Sequence, residues 1–64
     1  MPLLRVEMFE GRTNETKRKL VTELTEATAR ALNCPEDSVS VMITDVSKDD
    51  WGIGGEMARD KFPD

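Results

Sequence analysis

The sequence predicts an α/β (α+β) fold: one βαβ unit with two parallel strands, one long helix and a C-terminal hairpin. Three observations lead to this prediction. Apolar residues alternate over residues 3–9 and 38–46, a helical period separates these two stretches, and glycines cluster over 51–56. Strand, helix and strand in this order form a right-handed crossover that leaves the strands parallel. The 64 residues are expected to form a single domain, 1–64.

The first predicted strand is LLRVEMF, residues 3–9. Its side chains alternate between two faces, with Leu4, Val6 and Met8 on one face and Leu3, Arg5, Glu7 and Phe9 on the other. The segment Glu10-Gly11-Arg12 is a turn that ends this strand. The face with Leu4 is therefore expected to pack against the helix.

The predicted helix begins after Thr13, a plausible N-cap, and runs to about Leu32. Pro35 ends it, because proline disfavours helical geometry in the residue before it. Its expected buried stripe consists of Leu20, Leu24, Ala27 and Ala31, widened by Val21, Thr28 and Leu32. Its expected solvent-exposed face carries Lys17, Lys19, Glu23, Glu26 and Arg30.

The second predicted strand is SVSVMITDV, residues 38–46, with Val39, Val41 and Ile43 in one row. The other row consists of Ser40, Met42, Thr44 and Val46. The glycines of residues 51–56 predict a tight hairpin or loop. The final KFPD is expected to be a loose tail or an arm that lies on a neighbouring subunit.

The size of the chain predicts self-association. A single core below about 70–80 residues is marginal without a disulfide, a metal or an oligomer. One cysteine, Cys34, and no histidine exclude an intrachain disulfide and a tetrahedral N/S metal site. The single helix covers one face of the sheet and leaves a half-apolar face open, which a second copy of the chain would cover. That open face carries Leu3, Phe9, Met42 and Val46.

The charge of −4 and the pI near 4.7 argue against nucleic acid as a partner, because phosphate binding requires a basic face. No apolar run approaches the roughly 18 residues of a membrane span. The N-terminus also lacks the basic-then-apolar pattern of a signal peptide. The expected location is therefore cytoplasmic, with no nucleic acid or membrane partner.

Few side chains in the sequence are suited to catalysis. Without histidine there is no Ser–His or Cys–His pair, and Cys34 follows a helix C-terminus, where the dipole disfavours a thiolate. The segment GIGGE lacks the ending of a phosphate-binding loop. Pro2 is a candidate because removal of Met1 would leave a secondary amine, and burial or a nearby cation would lower its pKa toward that of a general base.

The segments MPLLRVEMFEGRTNETKRKLV and SVSVMITDVSKDDWGIGGE, in a chain of this length, resemble the 4-oxalocrotonate tautomerase family over nearly the whole sequence. The resemblance implies a hexamer of βαβ subunits and a cofactor-free reaction on a small enol or keto acid. In this reaction an amino-terminal proline moves a proton between oxygen and carbon. In relatives that act on dienols, such a reaction belongs to aromatic compound catabolism.

The resemblance assigns expected roles to five residues, and it implies no cofactor and no metal. Pro2 would be the general acid/base, and Arg12 would bind a substrate carboxylate through charge-assisted hydrogen bonds. Trp51 would form a wall of the pocket, and Phe9 and Leu3 would add apolar lining. For Arg12 and Trp51 the competing interpretations are a solvated turn arginine and an interface aromatic.

Ser40 departs from the family pattern. Relatives that act on 2-hydroxymuconate carry at this position a second arginine, which polarises the substrate in a neighbouring subunit's site. Serine lacks the positive charge that would stabilise a developing enolate. The protein could act on a different enol, Arg5 could replace the missing cation, or a second chain could supply it in a heterohexamer. Ile53 stands near the position where dehalogenase relatives carry an acid, so dehalogenation is disfavoured.

Three functions remain open from the sequence. The first is a tautomerase that converts a 2-hydroxymuconate-like dienol or an aryl enolpyruvate to its keto form. The second is a subunit of a heterohexameric tautomerase that requires its partner chain. The third is a non-catalytic, self-assembling domain in which Pro2 only begins a strand.

Overall fold

The computed structural model describes residues 1–63. It consists of β1 (Leu3–Phe9), α1 (Asn14–Leu32), β2 (Ser40–Val46), β3 (Gly52–Ile53), β4 (Glu56–Met57) and α2 (Ala58–Lys61). Single 3₁₀ turns at Glu36–Ser38 and Lys48–Asp50 flank β2. The predicted fold class is confirmed, because β1 and β2 pair in parallel around α1 and a short antiparallel hairpin follows. None of the helices in residues 1–63 has the length and apolar character needed to cross a membrane.

The two parallel strands have the predicted alternation. Leu3 lies opposite Ser40 and Phe9 lies opposite Val46, so the register is unbroken over seven residues. Leu4, Val6 and Met8 are half-buried on the side of α1, whereas Leu3, Arg5 and Glu7 are exposed on the open face. The predicted start of the second strand at residue 38 is wrong. Pro35 begins a 3₁₀ turn in which Ser38 donates both its backbone N–H (3.1 Å) and its hydroxyl (2.7 Å) to the Pro35 carbonyl.

The predicted cap of α1 is present, because the Thr13 hydroxyl accepts a hydrogen bond from the Thr16 N–H at 3.2 Å. The predicted buried stripe is only partly correct. Ala27 and Ala31 are exposed, whereas Ala29 is buried, so the inward face is rotated around the helix axis relative to the prediction.

Lys17 does not belong to a freely solvated face. Its ammonium group forms a 2.5 Å ion pair with Asp45 of β2, 28 residues away in the sequence. This pair joins the first turns of α1 to the end of β2. A helical period alone could not reveal it, because both partners look like ordinary surface charges in the sequence.

The C-terminal segment folds back onto its own chain. Gly54 and Gly55 have φ of 61° and 86°, which glycine adopts without steric cost, and they turn β3 into β4. The side chain of Phe62 then packs beside Phe9, with ring centroids 6.2 Å apart. The expectation of a loose tail is therefore wrong for Lys61 and Phe62. An arm onto a neighbour stays a prediction, and Asp64 lies outside the described residues.

A single copy has almost no core. Its backbone fills a flat slab of 42 × 25 × 13 Å, and among residues 1–63 only Ala29 and Ala58 are buried. The accessible surface is 4958 Å², about 800 Å² more than the roughly 4,100 Å² expected for a folded chain of this mass. Met42 is 53% exposed and Leu3 49% exposed on the open face. This shape is what a subunit that requires a partner would have.

Candidate active site

The residues predicted for the site lie at two opposite ends of β1. We call the group Pro2, Leu3 and Ser40 the proline end, and the group Phe9, Arg12 and Trp51 the aromatic end. β1 contains seven residues, and at about 3.3 Å per residue roughly 23 Å separate Pro2 from Phe9. Each group is assembled within one chain, but the two groups are not brought together.

At the proline end, the backbone holds Pro2 beside β2. The Pro2 carbonyl accepts a hydrogen bond from the Ser40 N–H at 3.0 Å, which extends the ladder one residue beyond β1. Pro2 is half-buried, whereas Met1 before it is 96% exposed. The bond between Met1 and Pro2 is therefore accessible, and its cleavage would leave the proline nitrogen as a free amine at the end of the sheet.

The open face around Pro2 carries one cation. Ser40 and Leu3 lie directly across from each other, and Arg5 is the next residue on the same face of β1, opposite Met42. Ser40 is exposed, and its short side chain carries no charge. The guess that Arg5 shares a face with Ser40 is correct.

At the other end, a glycine turn sets the direction of Arg12. The Glu10 N–H donates to the Val46 carbonyl at 3.1 Å, so the ladder ends at Glu10. Gly11 then adopts φ of 114°, which disfavours any residue with a Cβ, and Thr13 caps α1. Arg12 is exposed, and it forms no hydrogen bond or ion pair with another of the described residues. Its guanidinium is available to a ligand.

Aromatic rings pack against one another beyond the end of β1. The centroids of Phe9 and Trp51 are 4.6 Å apart in an edge-to-face arrangement with an interplanar angle of 65°, a geometry that favours the ring quadrupoles. The Lys48 ammonium lies 5.7 Å from the Phe9 centroid and donates to the Phe62 carbonyl at 2.7 Å. The Trp51 carbonyl accepts from the N–H of the buried Ala58 at 2.7 Å, which holds the backbone of Trp51 against the start of α2.

A shallow depression of about 220 Å³ opens on the sheet face at the aromatic end. Its lining consists of Glu7, Val46, Asp50, Trp51 and Gly52. Among these residues, the sequence predicted only Trp51 to line the site. Phe62 was also missed, because its contact with Phe9 depends on the hairpin that reverses the chain.

A larger depression, of about 470 Å³, lies along the first half of α1 and contains no residue predicted for the site. Its lining consists of Asn14, Lys17, Arg18, Val21 and Thr22. One of these residues, Lys17, is already paired with Asp45.

The βαβ subunit with an N-terminal proline, an EGR turn and an aromatic residue before GIGG defines the class of the protein. The family model described as tautomerase enzyme matches residues 2–61. The chain belongs to this tautomerase family.

The similar proteins include enzymes with a named activity. The chain is 45% identical over 58 residues to a 2-hydroxymuconate tautomerase of Pseudomonas putida, which covers 91% of this chain and 92% of the relative. It is also similar to the crystal structure of an apo, unfused 4-OT, with a TM-score of 0.91 and 42% identity over 94% of this chain and 98% of the other. A heterohexameric 4-oxalocrotonate tautomerase of Chloroflexus aurantiacus gives a TM-score of 0.87 and 38% identity over 91% and 94%. The protein is therefore an enzyme of the keto–enol tautomerase class.

Proposed function

We propose that the protein converts an enol or dienol acid to its keto form without a cofactor, with Pro2 as the general acid/base. The observation that carries this proposal is the position of Pro2. It is half-buried and bonded to Ser40 at the end of the sheet, behind an exposed Met1. The 45% identity to a 2-hydroxymuconate tautomerase supports the same reaction class.

The proton transfer requires a neutral amine. While Met1 is attached, the Pro2 nitrogen belongs to a tertiary amide and has no basicity. Once Met1 is removed, the amine takes the proton of the enol hydroxyl, and the electron pair of that O–H bond forms the carbonyl while the conjugated double bonds shift. The resulting prolinium then gives its proton to a carbon of the substrate, so no proton is gained or lost overall.

Two copies of the chain are required for a complete site. About 23 Å separate Pro2 from Phe9 along β1, so Pro2 and Arg12 of one chain cannot contact the same small acid. When two subunits lie antiparallel, the aromatic end of one meets the proline end of the other. Arg12 of one copy then binds the carboxylate, the pair of Phe9 and Trp51 excludes water, and Pro2 of the other copy transfers the proton. The proposed assembly is a hexamer that contains three such pairs.

Ser40 decides which acid is the better substrate. A 2-hydroxymuconate-like dienol carries two carboxylates, whereas an aryl enolpyruvate carries one and matches a site with the single cation Arg12. We therefore place aryl enolpyruvates beside 2-hydroxymuconate as candidate substrates, with Leu3 and Trp51 as contacts for the non-polar part of the substrate.

The direct test combines intact mass with turnover. We expect the mass of the purified protein to lack Met1, and the chain to tautomerise 2-hydroxymuconate or phenylenolpyruvate in a spectroscopic assay. A Pro2→Ala variant should lose about 10²- to 10⁴-fold in kcat/KM, the usual contribution of a positioned acid/base. Equal turnover by wild type and the Pro2→Ala variant, in samples that both lack Met1, would show that the proline ring is not required. Equal turnover by protein that retains Met1, in which the Pro2 nitrogen is an amide, would refute the role of Pro2 as the base.

A second candidate is a heterohexameric enzyme in which another chain supplies the missing cation. Ser40 favours this candidate, as does the similarity to the heterohexameric enzyme of Chloroflexus aurantiacus. Under this alternative the purified chain is inactive on both acids, and it gains activity when it is refolded together with a related short chain that has arginine at the position of Ser40.

A further inference from the structure

The depression at the aromatic end carries two carboxylates that the proposed reaction does not use. Glu7 and Asp50 line it together with Val46, Trp51 and Gly52. Both acidic residues are exposed, and neither side chain forms a hydrogen bond or an ion pair with another of the described residues. The lining that residues 1–63 provide therefore holds two negative charges and no positive charge.

Two cations close to the hairpin are bound to other groups. The Lys48 ammonium lies 5.7 Å from the centroid of the Phe9 ring and donates to the Phe62 carbonyl at 2.7 Å. The Arg59 guanidinium donates to the Asp49 carboxylate at 2.9 Å. Neither cation lines the depression, so its two carboxylates are available to a ligand.

Along β1, the depression and Arg12 lie on opposite sides of Phe9. Phe9 lies opposite Val46 in the sheet and packs on Trp51, and both of these residues also line the depression. Glu7 precedes Phe9 by two residues on the same face, about 6–7 Å along the strand, whereas Arg12 follows Phe9 by three. An acid whose carboxylate binds Arg12 would therefore cross the aromatic wall and place its other end beside the two carboxylates.

The depression has room for an aromatic ring. Its volume is about 220 Å³, and a cavity of about 150 Å³ is enough to hold benzene. The indole of Trp51 offers a flat face on which a ring can stack, and Val46 adds an apolar side. A ring bound there would direct a substituent on its far side towards Glu7 and Asp50.

We propose that Glu7 and Asp50 determine substrate specificity: they repel a second carboxylate and accept a hydrogen bond from a hydroxyl or amino group at the far end of an aryl enol acid. The inference rests on the proposed function, because it concerns the substrate of the same site. A second carboxylate would meet two like charges, whereas a donor would meet two negatively charged acceptors, which form the stronger class of hydrogen bond. The favoured substrate is therefore an aryl enolpyruvate with a donor on its ring, and 2-hydroxymuconate is disfavoured.

The test compares turnover of 2-hydroxymuconate, phenylenolpyruvate and 4-hydroxyphenylenolpyruvate. The variant E7Q/D50N removes both charges and keeps the shapes of the side chains. We expect its ratio of kcat/KM for 2-hydroxymuconate to kcat/KM for phenylenolpyruvate to exceed the wild-type ratio at least about tenfold, because like charges no longer oppose the second carboxylate. The advantage of the hydroxylated ring over the unsubstituted ring should fall, because an amide oxygen accepts a weaker hydrogen bond than a carboxylate.

The matched control E23Q/D37N makes the same two changes at exposed positions, one on α1 and one in the turn before β2. Both ratios should equal those of wild type in this control. If either ratio in E7Q/D50N also equals that of wild type, the proposal is wrong.

Salt provides a second measurement that needs no substitution. High ionic strength screens the repulsion between charges, so the ratio for 2-hydroxymuconate over phenylenolpyruvate in wild type should rise between about 0.01 M and about 1 M salt. Both acids carry the carboxylate that binds Arg12, so the screening of that attraction cancels in the ratio. A wild-type ratio that is the same at both salt concentrations would overturn the proposal.

Fluorescence of Trp51 distinguishes this inference from the proposed reaction. Trp51 is the only tryptophan of the chain, so quenching of its emission reports binding at the depression without turnover. The probes are 3-(4-hydroxyphenyl)propionate and 3-(4-carboxyphenyl)propionate, two unreactive acids that differ only in the ring substituent. Wild type should bind the hydroxylated acid more tightly, and E7Q/D50N should reduce the difference.

The two measurements fail separately. If the probes are discriminated while none of the three enol acids is tautomerised, the proposed reaction is wrong and the specificity of the depression is retained. If the enol acids are tautomerised while wild type binds both probes equally, the role of Glu7 and Asp50 is wrong and the reaction is retained.

Discussion

The two ends of β1 are built in different ways. At the aromatic end, side chains of one chain hold one another: Trp51 packs on Phe9, Lys48 bonds to the Phe62 carbonyl, and Arg59 of α2 bonds to Asp49 in the turn before the hairpin. At the proline end, a single backbone bond from Ser40 holds Pro2. The aromatic end is therefore preformed in the monomer, whereas in the proposed assembly a neighbour completes the proline end.

This difference separates two tasks of the proposed enzyme. Binding an acid requires a cation and a desolvated wall in fixed positions, and the contacts of the aromatic end supply this preorganisation. Burial lowers the pKa of an amine, and Pro2 is only half-buried in one chain. Assembly would thus complete the base, so we expect activity per subunit to fall on dilution below the concentration at which the assembly dissociates.

The largest expected effect tests whether the two ends work across subunits. Pro2→Ala replaces the secondary amine of the proline ring at one end by an unconstrained primary amine, and Arg12→Ala removes the carboxylate cation from the other, with a loss of about 10²-fold or more for either variant. When the two variants are refolded together, half of the dimers are mixed, and each mixed dimer contains one intact site of two. Turnover should therefore recover to about a quarter of wild type.

The control for this mixture is Pro2→Ala refolded together with wild type. Its turnover falls only because variant subunits dilute the wild-type ones. A mixture of Pro2→Ala and Arg12→Ala that stays as inactive as its components would show that both residues must come from the same chain. That result would contradict the separation of the two ends.

Truncation of the apolar residues compares how the two ends are stabilised. Phe9→Ala removes a ring that contacts Trp51 and Phe62, and we expect a loss of about 2–3 kcal/mol in the free energy of unfolding at any protein concentration. Leu3→Ala removes a side chain that is 49% exposed in one copy. Its cost should become visible only at concentrations where subunits associate. Urea unfolding of both variants at two protein concentrations distinguishes the two cases. If the loss of unfolding free energy depended equally on protein concentration in both variants, the two ends would not differ in how they are stabilised.

The sequence predicted the elements that depend on local patterns. Alternation placed β1 correctly, and the Thr13 hydroxyl caps α1 as its position before a helical period indicates. The features that the sequence missed depend on distant partners. Lys17 resembled a solvated charge until β2 brought Asp45 to it, and Phe62 resembled part of a tail until the hairpin returned it to Phe9.

The sequence predicts the candidate site as a set of residues and not as an arrangement. Pro2, Arg12 and Trp51 have the residue types and the spacing of the tautomerase family, but a list of positions does not show that a seven-residue strand lies between the proline and the arginine. That distance depends on the extended conformation of β1, and it supports the proposal that the site is shared between chains.

A smaller effect is expected from restoring a cation at the proline end. Ser40→Arg places a guanidinium across from Leu3, where it can stabilise a developing enolate. We expect kcat/KM for 2-hydroxymuconate to rise about tenfold, which corresponds to 1.4 kcal/mol, with little change for phenylenolpyruvate. Ser40→Lys is the matched control for charge without the planar, bidentate geometry. An unchanged rate with both variants would show that the missing cation does not limit dienol turnover.

The smallest expected effect concerns a surface ion pair at the aromatic end. The Arg59 guanidinium donates to the Asp49 carboxylate at 2.9 Å, and this hydrogen bond, aided by the charge of Arg59, holds the pKa of Asp49 below its ordinary value of 3.8. Because the folded-state pKa is the lower one, the pair stabilises the fold above pH 3.8, and this contribution disappears as the pH falls through the folded-state pKa. Both side chains are exposed, so solvent screens the interaction and the effect is small.

Asp49→Asn should therefore be slightly less stable than wild type at pH 7, and the difference should decrease as the pH falls below 3.8 and shrink in high salt. Urea unfolding at pH 7 and pH 2 provides the measurement, with Asp37→Asn, a change at an exposed position before β2, as the control. The pair joins the turn after β2 to α2, so its loss should loosen the hairpin and leave subunit association unchanged. If Asp49→Asn instead weakened subunit association, the aromatic end would take part in holding subunits together, and the distinction between a preformed end and a completed end would have to be abandoned.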